Sequence, residues 1–181
     1  MEKSKILYEN KWINLYETSN GFVYAQRKGV DSIACLCIRK QKNNEYEFLI
    51  HYQPLPEIVL KQRWDTCFPC VITGSIELNE NPLNAAIREI YEEGGIKVGV
   101  NNLIAENKFV STTQMNETVY AYLFDVTNLK QEIPQNDDSI FESVSYNAWI
   151  SEQKLRDIIQ NKLTLSSLSN LYNLFIITKT Q

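Results

Sequence analysis

The sequence predicts a mixed α+β fold, and three observations carry that prediction. Short aromatic-rich, strand-like segments crowd the first half, one amphipathic helix with clear start and stop signals sits in the middle, and apolar residues at helical spacing mark the end. Strands and helices follow one another without a regular βαβ rhythm, which favours a mixed sheet or a sandwich over a parallel sheet. At 181 residues, 44% of them hydrophobic, the chain suits one domain spanning 1–181 with a sizeable buried core.

Strands are expected at Lys5 to Tyr8, Trp12 to Glu17 and Phe22 to Arg27, the last two separated by the turn Ser19-Asn20-Gly21. Ile33 to Arg39 reads as a buried strand, joined through a polar turn at Lys42-Asn43-Asn44 to Tyr46 to Tyr52. A loop at Pro54-Leu55-Pro56 leads to a further strand around Thr66 to Thr73. The helix spans about Pro82 to Glu93, because proline suits a first helical turn and Asn81 or Glu80 can accept from its open N–H groups. Gly94-Gly95 supplies the stop. Later strands are expected at Ile96 to Val100, Asn107 to Val110, Thr118 to Val126 and Glu142 to Trp149. Leu155, Ile158 and Ile159 mark one terminal helix, and Leu168, Leu171, Leu174 and Phe175 another.

The net charge of −4 gives no basic face for wrapping a nucleic acid. No run approaches 18 apolar residues, so no membrane span is expected. Met1 to Asn10 lacks the apolar stretch of a signal peptide, which points to the cytoplasm. With a single histidine, His51, schemes needing two imidazoles are excluded, and carboxylates must carry any metal chemistry. Cys67-Phe68-Pro69-Cys70 has a zinc-knuckle spacing, but Cys35 and Cys37 lie inside an apolar run and read as small core fillers.

The helix carries two faces. At about 100° per residue, Leu83, Ile87 and Ile90 share an apolar stripe, and Glu89, Glu92 and Glu93 fall on another. Like charges at these spacings cost about 0.2–0.5 kcal/mol per pair, and acids in a last turn oppose the helix dipole. Arg88 offsets part of this. Two readings are open: a solvated acidic face, or converging carboxylates that a hard divalent cation resolves.

The segment Gly74 to Ile96 fills every fixed position of the Nudix box, Gly-x5-Glu-x7-Arg-Glu-U-x-Glu-Glu-x-Gly-U with U aliphatic, through Gly74, Glu80, Arg88, Glu89, Ile90, Glu92, Glu93, Gly95 and Ile96. The chain thus resembles the Nudix hydrolases. The resemblance implies an αβα sandwich with a mixed central sheet, the box folding as loop-helix-loop, an N-terminal strand-rich extension over 1–30, and C-terminal helices. It implies that Glu92 and Glu93 ligate Mg2+ (Mn2+ as a substitute) with Glu89 close by, that the carbonyl near Gly74 joins them, and that Glu80 and Arg88 organise the loop. Ser111 to Glu117 is similar to a loop of the ADP-ribose pyrophosphatases, with Glu117 matching a catalytic glutamate, although Thr112 and Thr113 replace that loop's Pro and Gly.

The strand-rich N-terminus and the stretch Trp149-Ile150-Ser151-x-x-x-Leu155 resemble the same subgroup, which is often a homodimer built through its N-terminal strands. The implied reaction is hydrolysis of a phosphoanhydride in ADP-ribose or another nucleotide sugar. Nucleoside triphosphate or dinucleoside polyphosphate hydrolysis shares the box, as does a ligand-sensing domain without turnover, although sensors usually lose box glutamates. Arg27 and Arg63 are candidate phosphate partners, and Trp12, Phe22 and Tyr24 are candidates for stacking on a base.

Overall fold

Two sheets organise the chain in the computed structural model, which describes residues 4–55, 57–58, 60–135 and 139–180. Pro56 of the expected loop, and residues 1–3 of the extension, lie outside the described residues. The first sheet is a meander of β1 (Lys5–Glu9), β2 (Ile13–Glu17) and β3 (Val23–Arg27), with Gly21 at φ 79° in the turn between the last two.

The second sheet has seven strands: β4 (Ser32–Lys40), β5 (Tyr46–Pro54), β6 (Cys67–Cys70), β7 (Ile72–Ser75), β8 (Leu103–Val110), β9 (Thr118–Asp125) and β10 (Tyr146–Ser151). Its main order is β10-β5-β4-β9-β8, with β6 on β5 and β7 on β4. β4 runs parallel to β9 and antiparallel to β5 and β7, so the sheet is mixed. The expected hairpin at Lys42-Asn43-Asn44 joins β4 to β5, with Asn44 at φ 65°.

β4 explains the layering. Successive side chains of a strand point to opposite faces, so Ile33, Cys35 and Cys37 pack with Ala85, Ala86 and Ile90 of α1 (Pro82–Gly94). Ala34, Leu36 and Ile38 pack on the other face with Leu155 and Ile158 of α2 (Glu152–Asn161) and Leu168, Leu171 and Phe175 of α3 (Ser166–Lys179). One helix below and two above a mixed sheet form an αβα sandwich. Cys35 and Cys37 are the core fillers expected of them. No helix among the described residues is long and apolar enough to cross a membrane.

Four elements differ from expectation; one of them, β8, begins at Leu103, four residues before the strand expected from Asn107. The stretch Thr66 to Thr73 is two strands, because the chain leaves β5 for β4 as its partner at Val71. Ile96 to Val100 is not a strand: Ile96 makes a single bridge to Gln131, and Val100–Asn102 forms a 3-10 turn that Asn102 closes on Gly99. β10 starts at Tyr146, after a 3-10 turn at Glu142–Val144. Alternating apolar residues alone do not distinguish a paired strand from an extended linker.

Candidate active site

α1 is built to hold its acids still. Asn81 caps it by accepting from Leu83 N–H at 2.9 Å. Gly95 closes it in the left-handed region at φ 69°, and Ile96 N–H returns to Ile90 O. The acidic last turn leaves carbonyls that cations would ordinarily satisfy. A strap from β9 to β10 does so instead: Gln131 Nε2 donates to Gly94 O at 2.8 Å, Glu132 N–H to Gly95 O at 2.7 Å, and Gln135 N–H to Glu92 O at 2.8 Å. A Cβ on Gly95 would overlap the Glu132 carbonyl.

Arg88 gathers the box. Its Nε and Nη2 donate to the two oxygens of Glu80, each at 3.0 Å, in a fork-to-fork pair. Nη1 donates to Glu89 at 2.7 Å and Glu92 at 3.0 Å, and Nη2 reaches Ser75 O at 3.2 Å. Arg88 holds the Glu80 carboxyl below the usual carboxylate range. Burial raises that of Glu89, against Arg88. Glu89 in turn fits under Gly74, where any Cβ would overlap its carboxylate.

Glu93 stands apart from this arginine. Burial, followed by the charges of Glu89 and Glu142, pushes its carboxyl up to about 8. Oε2 is buried without a hydrogen-bond partner. His51 Nε2 lies 3.9 Å away, and burial lowers the imidazole's pKa, which disfavours its charged form. This orphaned carboxylate oxygen is a free donor of the kind a hard divalent cation takes. Among the described residues no three acidic, Cys or His side chains converge as a ready metal group. Arg88 spans Glu89 and Glu92, so a cation taking those oxygens would replace its Nη1 contacts.

Beside Gly74 and Ser75 opens a cavity of about 580 Å³, its walls largely apolar through Ile33, Phe109, Met115 and Leu165. Arg27 and Glu117 line it together. Arg27 Nη2 donates to Ser75 Oγ at 2.6 Å, and Nη1 meets Glu117 Oε1 at 3.3 Å; Glu117 Oε2 accepts from Ser111 Oγ at 2.7 Å. The N-terminal sheet reaches the cavity because β3 clamps the 111–117 loop: Ala25 N–H donates to Gln114 O, and Asn116 N–H to Ala25 O, both at 2.8 Å.

Arg63 is not part of this assembly; it is exposed and forked onto Asp65 at 2.6 and 2.9 Å. Trp12 is exposed, Tyr24 stacks on Tyr16, and Phe22 and Tyr24 line a shallow recess with Met115. Three neighbours of Glu93 escaped sequence reasoning. His51, Asn147 and Glu142 line a second cavity of about 360 Å³ with it. They come from β5, β10 and a 3-10 turn, and no spacing in the sequence links them.

An αβα sandwich with an arginine-clamped, carboxylate-bearing loop-helix-loop on one face defines a Nudix domain. Residues 31–168 match the NUDIX domain family, and the chain belongs to the Nudix family of hydrolases. It is similar to the human diphosphoinositol polyphosphate phosphohydrolase 3-beta, 31% identical over 99 residues that cover 55% of this chain and 52% of that one. The mouse diphosphoinositol polyphosphate phosphohydrolase 3-alpha is 30% identical over 55% of this chain and 52% of its own length. The chain spans about half the length of these curated relatives.

Proposed function

We propose that this chain hydrolyses a phosphoanhydride bond, with Mg2+, in a nucleoside diphosphate linked to another moiety, ADP-ribose or another nucleotide sugar. The observation that carries the reading is the Arg88-bound set of Glu80, Glu89 and Glu92 beside the buried, unpartnered Oε2 of Glu93. Glu89, Glu92, Glu93 and the Gly74 carbonyl would hold the cation. When bound, it supplies charge neutralisation at the phosphates and acidifies a water. Arg88 keeps the carboxylates oriented. Arg27, fixed beside Ser75, binds a substrate phosphate, and Glu117 accepts the proton of the attacking water.

The cavity supports a nucleotide-like substrate. Its apolar walls suit a ring, and Arg27, already engaged by Glu117, is the one cation among its described lining residues. A diphosphoinositol polyphosphate, the substrate class in the relatives' names, would bring far more phosphate charge than one arginine can meet. A homodimer through the N-terminal sheet belongs to the same proposal. It is supported by β1, exposed along its whole length, and by exposed Ile6, Tyr8 and Trp12.

The test is a panel of ADP-ribose, nucleotide sugars, dinucleoside polyphosphates, nucleoside triphosphates and a diphosphoinositol polyphosphate, with products identified. AMP plus a sugar phosphate is expected, with Glu93→Gln lowering turnover about 10²-fold or more. Nucleotide plus pyrophosphate, or phosphate released from the inositol compound, overturns the substrate class. Turnover untouched in Glu93→Gln overturns the site.

A further inference from the structure

His51 is the chain's only histidine, it is 4% exposed, and the reaction above gives it no task. Its surroundings fix which ring nitrogen carries the proton. Asn147 donates through Nδ2 to the Glu93 carbonyl, which turns its Oδ1 toward His51 Nδ1 at 3.0 Å. An amide oxygen only accepts, so Nδ1 must be the donor, and a neutral ring then leaves Nε2 as a bare lone pair. That lone pair faces Glu93 Oε2 at 3.9 Å. With Glu93 ionised, as a metal ligand must be, two acceptors confront each other, and Oε2 has no hydrogen-bond partner.

A cation resolves this confrontation. Nitrogen and oxygen ligands sit about 2.0–2.2 Å from a divalent transition ion, and a gap of 3.9 Å admits one between them with a small adjustment. The second cavity, lined by His51, Glu93, Glu142 and Asn147, leaves room for waters or substrate oxygens to complete the shell. Asn147 has the form of an outer-shell partner, binding the ligand's other ring nitrogen and so fixing tautomer and orientation.

We propose that His51 Nε2 is a nitrogen ligand adjoining Glu93 Oε2, so that this site binds a first-row transition ion, such as Mn2+, through one imidazole and one carboxylate more tightly than the Mg2+ of the proposed reaction. The inference rests on Glu93 being a metal ligand. Imidazole favours transition ions, whereas Mg2+ keeps to oxygen donors and water. His51 therefore sets metal preference without changing the reaction.

The test is electron spin-echo spectroscopy of Mn2+ bound to the untagged full chain, prepared with natural-abundance and with 15N-labelled histidine. One histidine makes the assignment unambiguous. The expected result is nitrogen modulation of a coordinated imidazole that changes with the label, and a fall in Mn2+ affinity of about 10-fold or more in His51→Gln and Asn147→Ala. Mg2+ affinity, measured by competition, falls less. The wild-type spectrum alone decides if His51→Gln does not fold. Bound Mn2+ without histidine coupling, and with affinity lost in Glu93→Gln, overturns the His51 role and leaves Glu93 as a ligand. Mn2+ affinity unchanged in Glu93→Gln overturns both.

Discussion

The Glu89 carboxylate lies where a side chain on Gly74 would begin, so that a methyl group there overlaps Cγ, Cδ and Oε1 of Glu89. The box glycine is thus a packing requirement of a box glutamate from another element. Gly74→Ala should push the flexible Glu89 side chain aside rather than unfold the sheet. Turnover is expected to fall about 10²-fold, the scale of a 1 Å misplacement of a working group, with little change in Tm. Near-normal turnover would show that Glu89 need not sit under Gly74.

Arg88 makes hydrogen bonds to Glu80, Glu89, Glu92 and Ser75 at once. A lysine keeps the charge but not the fork. Arg88→Lys should cost about 1–3 kcal/mol of stability, read from denaturant unfolding. Mg2+ should restore part of it, because a cation then shares the carboxylates that Arg88 released. An unchanged midpoint would mean that the network contributes to geometry alone.

Glu152 joins the two helices of the upper layer. Burial raises its carboxyl, but hydrogen bonds from Arg156 at 2.7 Å, Lys179 at 3.3 Å and Tyr172 at 3.1 Å outweigh this and hold it below the usual carboxylate range. A depressed folded-state pKa adds stability that is present above the unfolded value and is lost as pH falls through the folded one. Glu152→Gln should therefore be less stable at pH 7 by about 1 kcal/mol. The gap should close as pH drops through the carboxylate range. Thermal unfolding of both proteins at pH 7 and at low pH checks the sign, and a constant gap would refute it.

The layout of the box was legible because it is local: a capped helix of fixed period shows its faces in sequence. Glu89, Glu92 and Glu93 could be grouped by turning a wheel, and Arg88 could be seen to oppose them. The continuous apolar run of Ile33 to Ile38 marks a strand buried on both faces, but not which helices cover each face. His51, Asn147 and Glu142 were invisible, because strand register and a 3-10 turn bring them to Glu93 from distant parts of the chain. Arg27 and Arg63 looked alike as cations. Only the clamp of β3 on the 111–117 loop distinguishes the one at the cavity from the one paired with Asp65.

Gln131 spans the strap and the sheet, donating to Gly94 O and accepting from Trp149 Nε1–H, each at 2.8 Å. Gln131→Ala leaves both groups without this partner and should cost about 1–3 kcal/mol. Because Gly94 follows directly on Glu93, turnover measured well below Tm should fall as well. A stability loss with full turnover would confine the strap to a structural role.

Glu117 and Glu142 line different cavities at the site, one paired with Arg27 in the large cavity and one acting on Glu89 and Glu93 by charge. If Glu117 takes the proton of the attacking water, Glu117→Gln should lower kcat about 10²-fold or more while KM stays within a few-fold. Arg27→Lys should instead raise KM, because it weakens phosphate binding without removing the base. If Glu117→Gln raises only KM, the carboxylate serves to hold Arg27, and the loss of kcat should appear in Glu142→Gln. Full kcat in both single variants would exclude either carboxylate as the base and leave the carboxylates of α1 as the groups to test.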